Sequence, residues 1–170
     1  WITPDATGLL VRMATEHHCE MVIADFYRVI GERLSPKGKI REDGILSRED
    51  FAMEMMENPA DFYYGVLWNK LYRRDIIEKN NLCMDKDISW CEDFIFNMEY
   101  IRHVKQVYAL HVPMYYYVKT PGSLVSQGTS ISKPAFFTRR SVPPGFPLPH
   151  RDTWTGIWIP LPVPSAFWAL

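Results

Sequence analysis

Three short segments hold most of the residues able to do chemistry: Trp68-Asn69-Lys70-Leu71-Tyr72, Trp90-Cys91-Glu92-Asp93-Phe94 and Tyr115-Tyr116-Tyr117. Two adjacent acids at the mouth of a helix, after two tryptophan-bearing segments, have the makings of a general base that activates a hydroxyl. Glu92 has a simpler explanation. Ser89 and Glu92 stand in a capping-box pattern, and the helix dipole favours carboxylates in a first turn without any catalytic duty, so the sequence favours that structural account for Glu92. Asp93 is not needed by the cap. Asn97 lies one turn later on the same face, placed to orient the Asp93 carboxylate or a ligand. Because the dipole lowers a carboxylate's pKa at a helix start, a base at Asp93 requires burial to offset it.

Other candidates are weaker. His17, His18 and Cys19 are adjacent at the end of an expected helix, where neighbouring side chains point to different faces; they read as surface histidines rather than a metal site. Cys83 and Cys91 have no CxxC partner or nearby histidine pair and default to small apolar residues. His103 and His111, at a helix end and a strand junction, fit dipole or loop roles better than catalysis. No metal-ligating set is assigned.

The elements that must position these residues alternate between helix and strand. Thr3 as N-cap and Pro4 at the first helical position, followed by Ala6, Leu9, Leu10, Met13 and Ala14 at helical spacing, predict an amphipathic helix to about His17. Met21 to Ile30 reads as a strand, buried except where Asp25 and Arg28 interrupt it. Gly31 to Gly44 is a polar connection that can hold a hairpin. Ser47 and Asp50 cap a second helix with Phe51, Ala52, Met55 and Met56 inward, stopped by Asn58-Pro59. Tyr63 to Tyr72 reads as extended, Arg73 to Asn80 as a short helix, and Ser89 to His103 as a longer one with Phe94, Ile95, Met98 and Ile101 on one face. Gln106 to Leu110 and Met114 to Val118 are two further strands. The class is α/β.

Composition narrows the function. The 170 residues are 47% hydrophobic and 23% charged, enough for one core, and 19 Lys+Arg against 20 Asp+Glu leave a net charge of -1. No broad basic field exists to hold nucleic acid or anionic lipid. Three cysteines without a CxxC pair point to a reducing compartment, and no charged n-region precedes an apolar run, so no signal peptide is expected. Trp154 to Leu170 is apolar but carries Pro160, Pro162 and Pro164, which breaks a spanning helix.

The chain also changes style near residue 128. Residues 1–127 contain 15 Lys+Arg, 19 Asp+Glu and 5 Pro, whereas the last 43 contain 4, 1 and 8. Prolines every second or third residue with no apolar period predict a polyproline or disordered tail over 128–170. Its many aromatics are unusual for a solvated tail. They fit a proline-rich ligand segment, or, as the better account, translation of a shifted or unrelated reading frame.

The run from Gly65 to Leu124, with W-N-K-L-Y-R, a helix opening on E-D, then Y-Y-Y before G-S, resembles the later half of family 2 glycosyltransferases, inverting enzymes of GT-A fold in bacterial surface-polysaccharide synthesis. The resemblance covers most of residues 1–127. Family members commonly read D-S-D-D-W-I-x-P-D, and this chain begins W-I-T-P-D, just after the acidic metal motif. The resemblance therefore implies an incomplete GT-A, Rossmann-like domain that lacks its N-terminal nucleotide-binding half, with residues 1–127 as the acceptor side. Mg²⁺ or Mn²⁺ is expected on the donor diphosphate of the full-length enzyme, held by ligands outside this chain.

Carried over by position, Asp93 would be the base that deprotonates the acceptor hydroxyl as it attacks the anomeric carbon, with Glu92 supporting it or the acceptor. Trp68, Asn69, Lys70 and Trp90 would shape the donor-sugar or acceptor pocket, indole faces meeting sugar C–H surfaces and the amide and ammonium meeting hydroxyls or phosphate. Core packing explains the tryptophans, and a surface position Lys70, equally well. Many members carry a histidine after the tyrosines; Val118 to Ser123 has none, and Lys119 is the substitute positive charge. The expected partners are a nucleotide-sugar donor and a glycan or lipid-linked acceptor, and the expected location is the cytoplasm, at the inner face of the plasma membrane for a peripherally associated enzyme. The isolated chain is expected to be inactive. The competing readings are a non-enzymatic glycan-binding or protein-interaction module, and a nonfunctional gene remnant.

Overall fold

The computed structural model describes residues 1–57, 62–84 and 92–120, together with two short strands at 134–136 and 158–160. The elements run α1 (Ala6–Glu16), β1 (Met21–Ile30), β2 (Arg33–Lys37), β3 (Gly44–Ser47), α2 (Arg48–Glu57), α3 (Phe62–Gly65), β4 (Lys70–Tyr72), α4 (Arg74–Lys79), α5 (Glu92–Ile101), β5 (Gln106–Val118), β6 (Pro134–Phe136) and β7 (Trp158–Pro160). The expected α/β class holds. β1 and β5 pair in parallel at the centre of a sheet ordered β2-β1-β5-β3; β2 and β4 pair antiparallel with successive stretches of β1, and β3 pairs antiparallel with β5.

The period of two along the central strands builds two cores. Val22, Ala24, Tyr108 and Leu110 face α1, where Ala6 and Met13 pack on them. Met21, Ile23, Val107 and Ala109 face the other way, onto Phe51 and Met55 of α2, Tyr63 and Tyr64 of α3, and Met98 and Ile101 of α5. The result is helix, sheet, helix. β6 and β7 pair antiparallel with each other; the rest of the expected 128–170 tail, and Asn58-Pro59, lie outside the described residues.

Several boundaries were legible. Ser47 Oγ accepts the Asp50 amide at 3.0 Å and donates to the Asp50 carboxylate at 2.6 Å, and α2 buries the expected Phe51, Ala52, Met55 and Met56. β1 and β2 form a hairpin across Gly31-Glu32, with Gly31 at φ +57°. Four expectations are corrected. Thr3 does not cap α1: Ile2 bridges Tyr115 and the Thr3 amide bonds the Met114 carbonyl, which keeps the chain extended, so α1 opens after Asp5. Residues 62–65 are helical rather than extended. An extended chain would send adjacent Tyr63 and Tyr64 to opposite faces, whereas a helical turn buries both, their rings edge to face at 5.0 Å. The two strands expected over 106–110 and 114–118 are one, β5, whose register against β1 slips on both sides of Asp25, as in a β-bulge. Asp25, expected to interrupt the burial of β1, is itself buried, 3% exposed.

Candidate active site

Of the sequence-predicted residues, Trp68, Asn69, Lys70 and Asp93 meet at the loop between α3 and β4. The Leu67 amide hydrogen-bonds the Asp93 carboxylate in the first turn of α5. Burial pushes the Asp93 carboxyl up from its ordinary value and neighbouring Glu92 adds to that; the Leu67 hydrogen bond and the charge of Lys70 oppose it. The burial that a base at a helix start requires is therefore present. Glu92 is half-buried beside it. Ser89, its expected capping partner, and Trp90 lie outside the described residues.

Lys70 is not on the surface. Its ammonium is buried and donates to the Tyr63 carbonyl at 3.3 Å, the Val66 carbonyl and the Asn69 Oδ1 at 2.8 Å. Burial drives its pKa well down, against the charge of Asp93, which raises it. Asn69 is 3% exposed and equally committed: its Nδ2 donates to the Ala24 carbonyl at 3.2 Å and the Tyr63 carbonyl at 3.1 Å, while its own carbonyl accepts the Ala24 amide at 2.9 Å. These two residues build the loop and tie it to β1.

Trp68 is packed. Its half-buried indole stacks on Tyr115 at 4.6 Å and Tyr117 at 5.3 Å between ring centroids, and meets Phe26 edge-on at 4.7 Å. It is both packed and partly open. A cavity of about 180 Å³ beside it is lined by Trp68, Asn69, Lys70, Asp25, Tyr115 and, from α1, Ala6. Tyr116 points to the opposite side and stacks between Tyr27, at 4.9 Å, and Trp1, at 5.0 Å.

Asn97 is a correction. Rather than orienting a carboxylate or ligand, its Nδ2 donates to the Gly65 and Asp93 carbonyls, both at 2.8 Å, and its Oδ1 accepts the Tyr72 hydroxyl at 2.7 Å. At 1% exposure it fastens α5 to α3 and β4. Lys119 is exposed just beyond β5, its backbone amide on the Val29 carbonyl. His17 stacks on Tyr108 at 4.2 Å, and among the described residues no three His, Cys, Asp or Glu side chains gather to hold a metal.

One cluster escaped the sequence analysis. Asp25 accepts the Tyr63 hydroxyl at 2.6 Å and sits 2.8 Å from His111 Nδ1. The β5 bulge delivers His111 to that position, and a Cβ on Gly38 would run into the Asp25 carboxylate. Burial pushes the Asp25 carboxyl up, opposed by Tyr63, the charge and hydrogen bond of His111, and the Ile40 backbone. An acid within the apolar first half of the strand was the available signal; its partners come from 38 and 86 positions away.

Comparison with known proteins follows the same lines. An uncharacterized glycosyltransferase of Bacillus subtilis strain 168, EpsJ, is 26% identical over 116 residues, which are 68% of this chain and 34% of EpsJ. Another from Escherichia coli K12, YibD, is 29% identical over 115 residues, 62% of this chain and 33% of YibD. The chain is similar to these two glycosyltransferases. It spans about a third of the length of the curated relatives it matches. Among solved structures, S. aureus TarS 1–349 with UDP-GlcNAc superposes at a TM-score of 0.57 and 18% identity, over 74% of this chain and 34% of that one. The same protein with UDP gives 0.54 and 17%, over 71% and 33%. At that identity the likeness shows the fold alone. No protein-family model matches the chain.

Proposed function

We propose that this chain forms the acceptor side of an inverting, GT-A, family 2 glycosyltransferase, with Asp93 as the general base. The observation that carries the reading is the state of the Asp93 carboxylate: half-buried, raised in pKa, and held by the Leu67 amide on the loop that also presents Trp68. A carboxylate so placed is basic enough to accept a proton from a sugar hydroxyl and retains lone pairs to do it. As the acceptor oxygen attacks the anomeric carbon, its proton passes to Asp93. The bond from that carbon to the donor diphosphate breaks on the opposite face, which inverts the centre. Glu92 keeps Asp93 basic by charge, and the Trp68 indole offers a flat face to a pyranose ring.

The UDP and UDP-GlcNAc complexes of TarS support a nucleotide sugar as donor; a glycan or lipid-linked chain is the acceptor we infer from the family resemblance. The described residues offer no set that fits Mg²⁺ or Mn²⁺, and no step here runs through a metal. Among those residues no helix is long and apolar enough to cross a membrane. Surface-polysaccharide synthesis at the cytoplasmic membrane face is the setting in which we place the enzyme.

The test is transfer from a panel of nucleotide sugars by these residues joined to the preceding, nucleotide-binding part of a glycosyltransferase relative. Asp93→Asn should lower turnover by about 10²- to 10⁴-fold, the usual worth of a general base, with the melting temperature kept. Unchanged turnover in Asp93→Asn overturns the assignment. The half-exposed stack of Trp68 on Tyr115 and Tyr117 favours a second reading, a glycan-binding module; glycan affinity with no donor turnover in that same protein would establish it.

A further inference from the structure

We propose that Asp25 is a positioning residue for Asp93, acting through Tyr63 to set the loop whose Leu67 amide holds the Asp93 carboxylate; the inference rests on the reading of Asp93 as the base. Asp25 and Asp93 belong to different elements, β1 and α5, and share no hydrogen-bonding partner among the described residues. What joins them is Tyr63. Its hydroxyl donates to Asp25 at 2.6 Å, while its backbone carbonyl accepts both Asn69 Nδ2 at 3.1 Å and Lys70 Nζ at 3.3 Å. Those two side chains close the loop that runs from Val66 to Lys70.

The loop is fastened a second time to the same strand. Asn69 Nδ2 donates to the Ala24 carbonyl and the Ala24 amide donates back to the Asn69 carbonyl, one residue before Asp25. With Gly65, at the end of α3, bonded to Asn97 of α5, the segment 63–70 is clamped on one side by β1 and on the other by the helix that carries Asp93. Within this clamp the Tyr63 ring packs on Phe26 and Tyr64, the Lys39 backbone also bonds its hydroxyl, and Asp25 is the acceptor of that hydroxyl's proton; His111 Nδ1 at 2.8 Å and Gly38 hold Asp25 from its other sides. Removing the Asp25 bond leaves the hydroxyl proton without that acceptor and lets Tyr63 shift, and the Leu67 amide shifts with the loop. Networks of this kind transmit position because each buried polar group has few alternative partners.

An NMR titration of the Asp93 carboxyl carbon in the full 170-residue chain tests this, in the wild type, Tyr63→Phe, Asp25→Asn and His111→Asn, with a thermal melt of each. The groups facing Asp93 are Glu92, Lys70 and Tyr72, and all are retained in every variant. In Tyr63→Phe the Asp93 titration should move further up, because the Leu67 amide whose hydrogen bond holds it down shifts away, and the Leu67 amide resonance should lose its response to that titration. Asp25→Asn should do the same to a smaller degree, because an amide oxygen still accepts the Tyr63 hydroxyl. His111→Asn, which leaves the Tyr63 bond in place, should leave Asp93 unmoved. A lowered melting temperature in Tyr63→Phe with Asp93 and Leu67 titrating as in the wild type overturns the proposal and leaves Asp25 a fold-stabilising residue. If Asp25→Asn fails to fold, Tyr63→Phe decides alone. Full turnover in Asp93→Asn would sink the base assignment without touching this result, since the titration reads loop position rather than catalysis.

Discussion

Asp25 and Asp93 are both acids that burial pushes above the ordinary carboxylate range, and both lie within the same α/β layers. Their surroundings differ in how much acceptor capacity is used. Asp25 receives the Tyr63 hydroxyl on one oxygen and faces His111 Nδ1 with the other, takes a backbone hydrogen bond from Ile40, and has Gly38 closed over it. Asp93 has the Leu67 amide as its hydrogen-bonding partner among the described residues. An ionised carboxylate offers about four lone-pair positions, so Asp93 keeps room for a substrate hydroxyl and Asp25 is nearly saturated. Burial alone therefore does not mark a catalytic acid. On the function we propose, unspent hydrogen-bonding capacity does, which makes Asp93 the reactive acid and Asp25 the structural one.

The division can be broken most directly by truncating each acid. Asp25→Ala strands the buried Tyr63 hydroxyl without an acceptor and empties the space under Gly38, so it should cost about 2–3 kcal/mol in urea or guanidinium unfolding. Asp93→Ala gives up one exchangeable hydrogen bond while relieving a desolvated charge, and should change stability by less than about 1 kcal/mol. Equal losses would erase the contrast. Gly38→Ala sharpens it with a smaller effect: the added methyl meets the Asp25 carboxylate, and overpacking of a filled site costs about 1–2 kcal/mol. If Gly38→Ala melts with the wild type, the closure over Asp25 is looser than the geometry requires.

How much of this was readable beforehand follows from the range of the interactions. The α2 cap and its four buried residues are local, set by side chains three and four apart, and the sequence carried them in full. The Trp68, Asn69, Lys70 and Asp93 grouping was likewise visible as motifs, although Lys70 and Asn69 proved to hold the loop together. Asp25 was misread because the pattern of β1 says only that a charge interrupts an apolar run. Its partners Tyr63 and His111 arrive from α3 and from a bulge in β5, and a bulge slips the register in a way that residue periodicity does not encode. The turn at 62–65 failed for the same reason. Aromatic residues favour strands in general, but the packing of Tyr63 and Tyr64 into one core decided the local geometry. Tertiary contacts overrode propensity wherever adjacent side chains had to face the same way.

The smallest of the expected effects separates the two acids by pH. A carboxyl whose pKa is raised in the folded state, from an ordinary 3.8, binds its proton more tightly folded than unfolded. Its contribution to stability is therefore present below that ordinary value and is lost as pH rises through the raised folded value. Each acid tilts the acid limb of the stability curve downward with increasing pH, and replacing either with the non-titrating amide should flatten it. Asp25 is the more deeply enclosed, yet His111 opposes its shift, whereas Asp93 has Glu92 acting with burial. Unfolding free energies of the wild type, Asp25→Asn and Asp93→Asn, measured at steps from acid to neutral pH, give the two contributions as differences from the wild-type curve. A wild-type curve that parallels Asp25→Asn throughout would mean that Asp25 ionises as freely in the fold as outside it. The saturated carboxylate would then be no more constrained than an exposed one, and acceptor saturation would lose its meaning as the feature that separates Asp25 from Asp93.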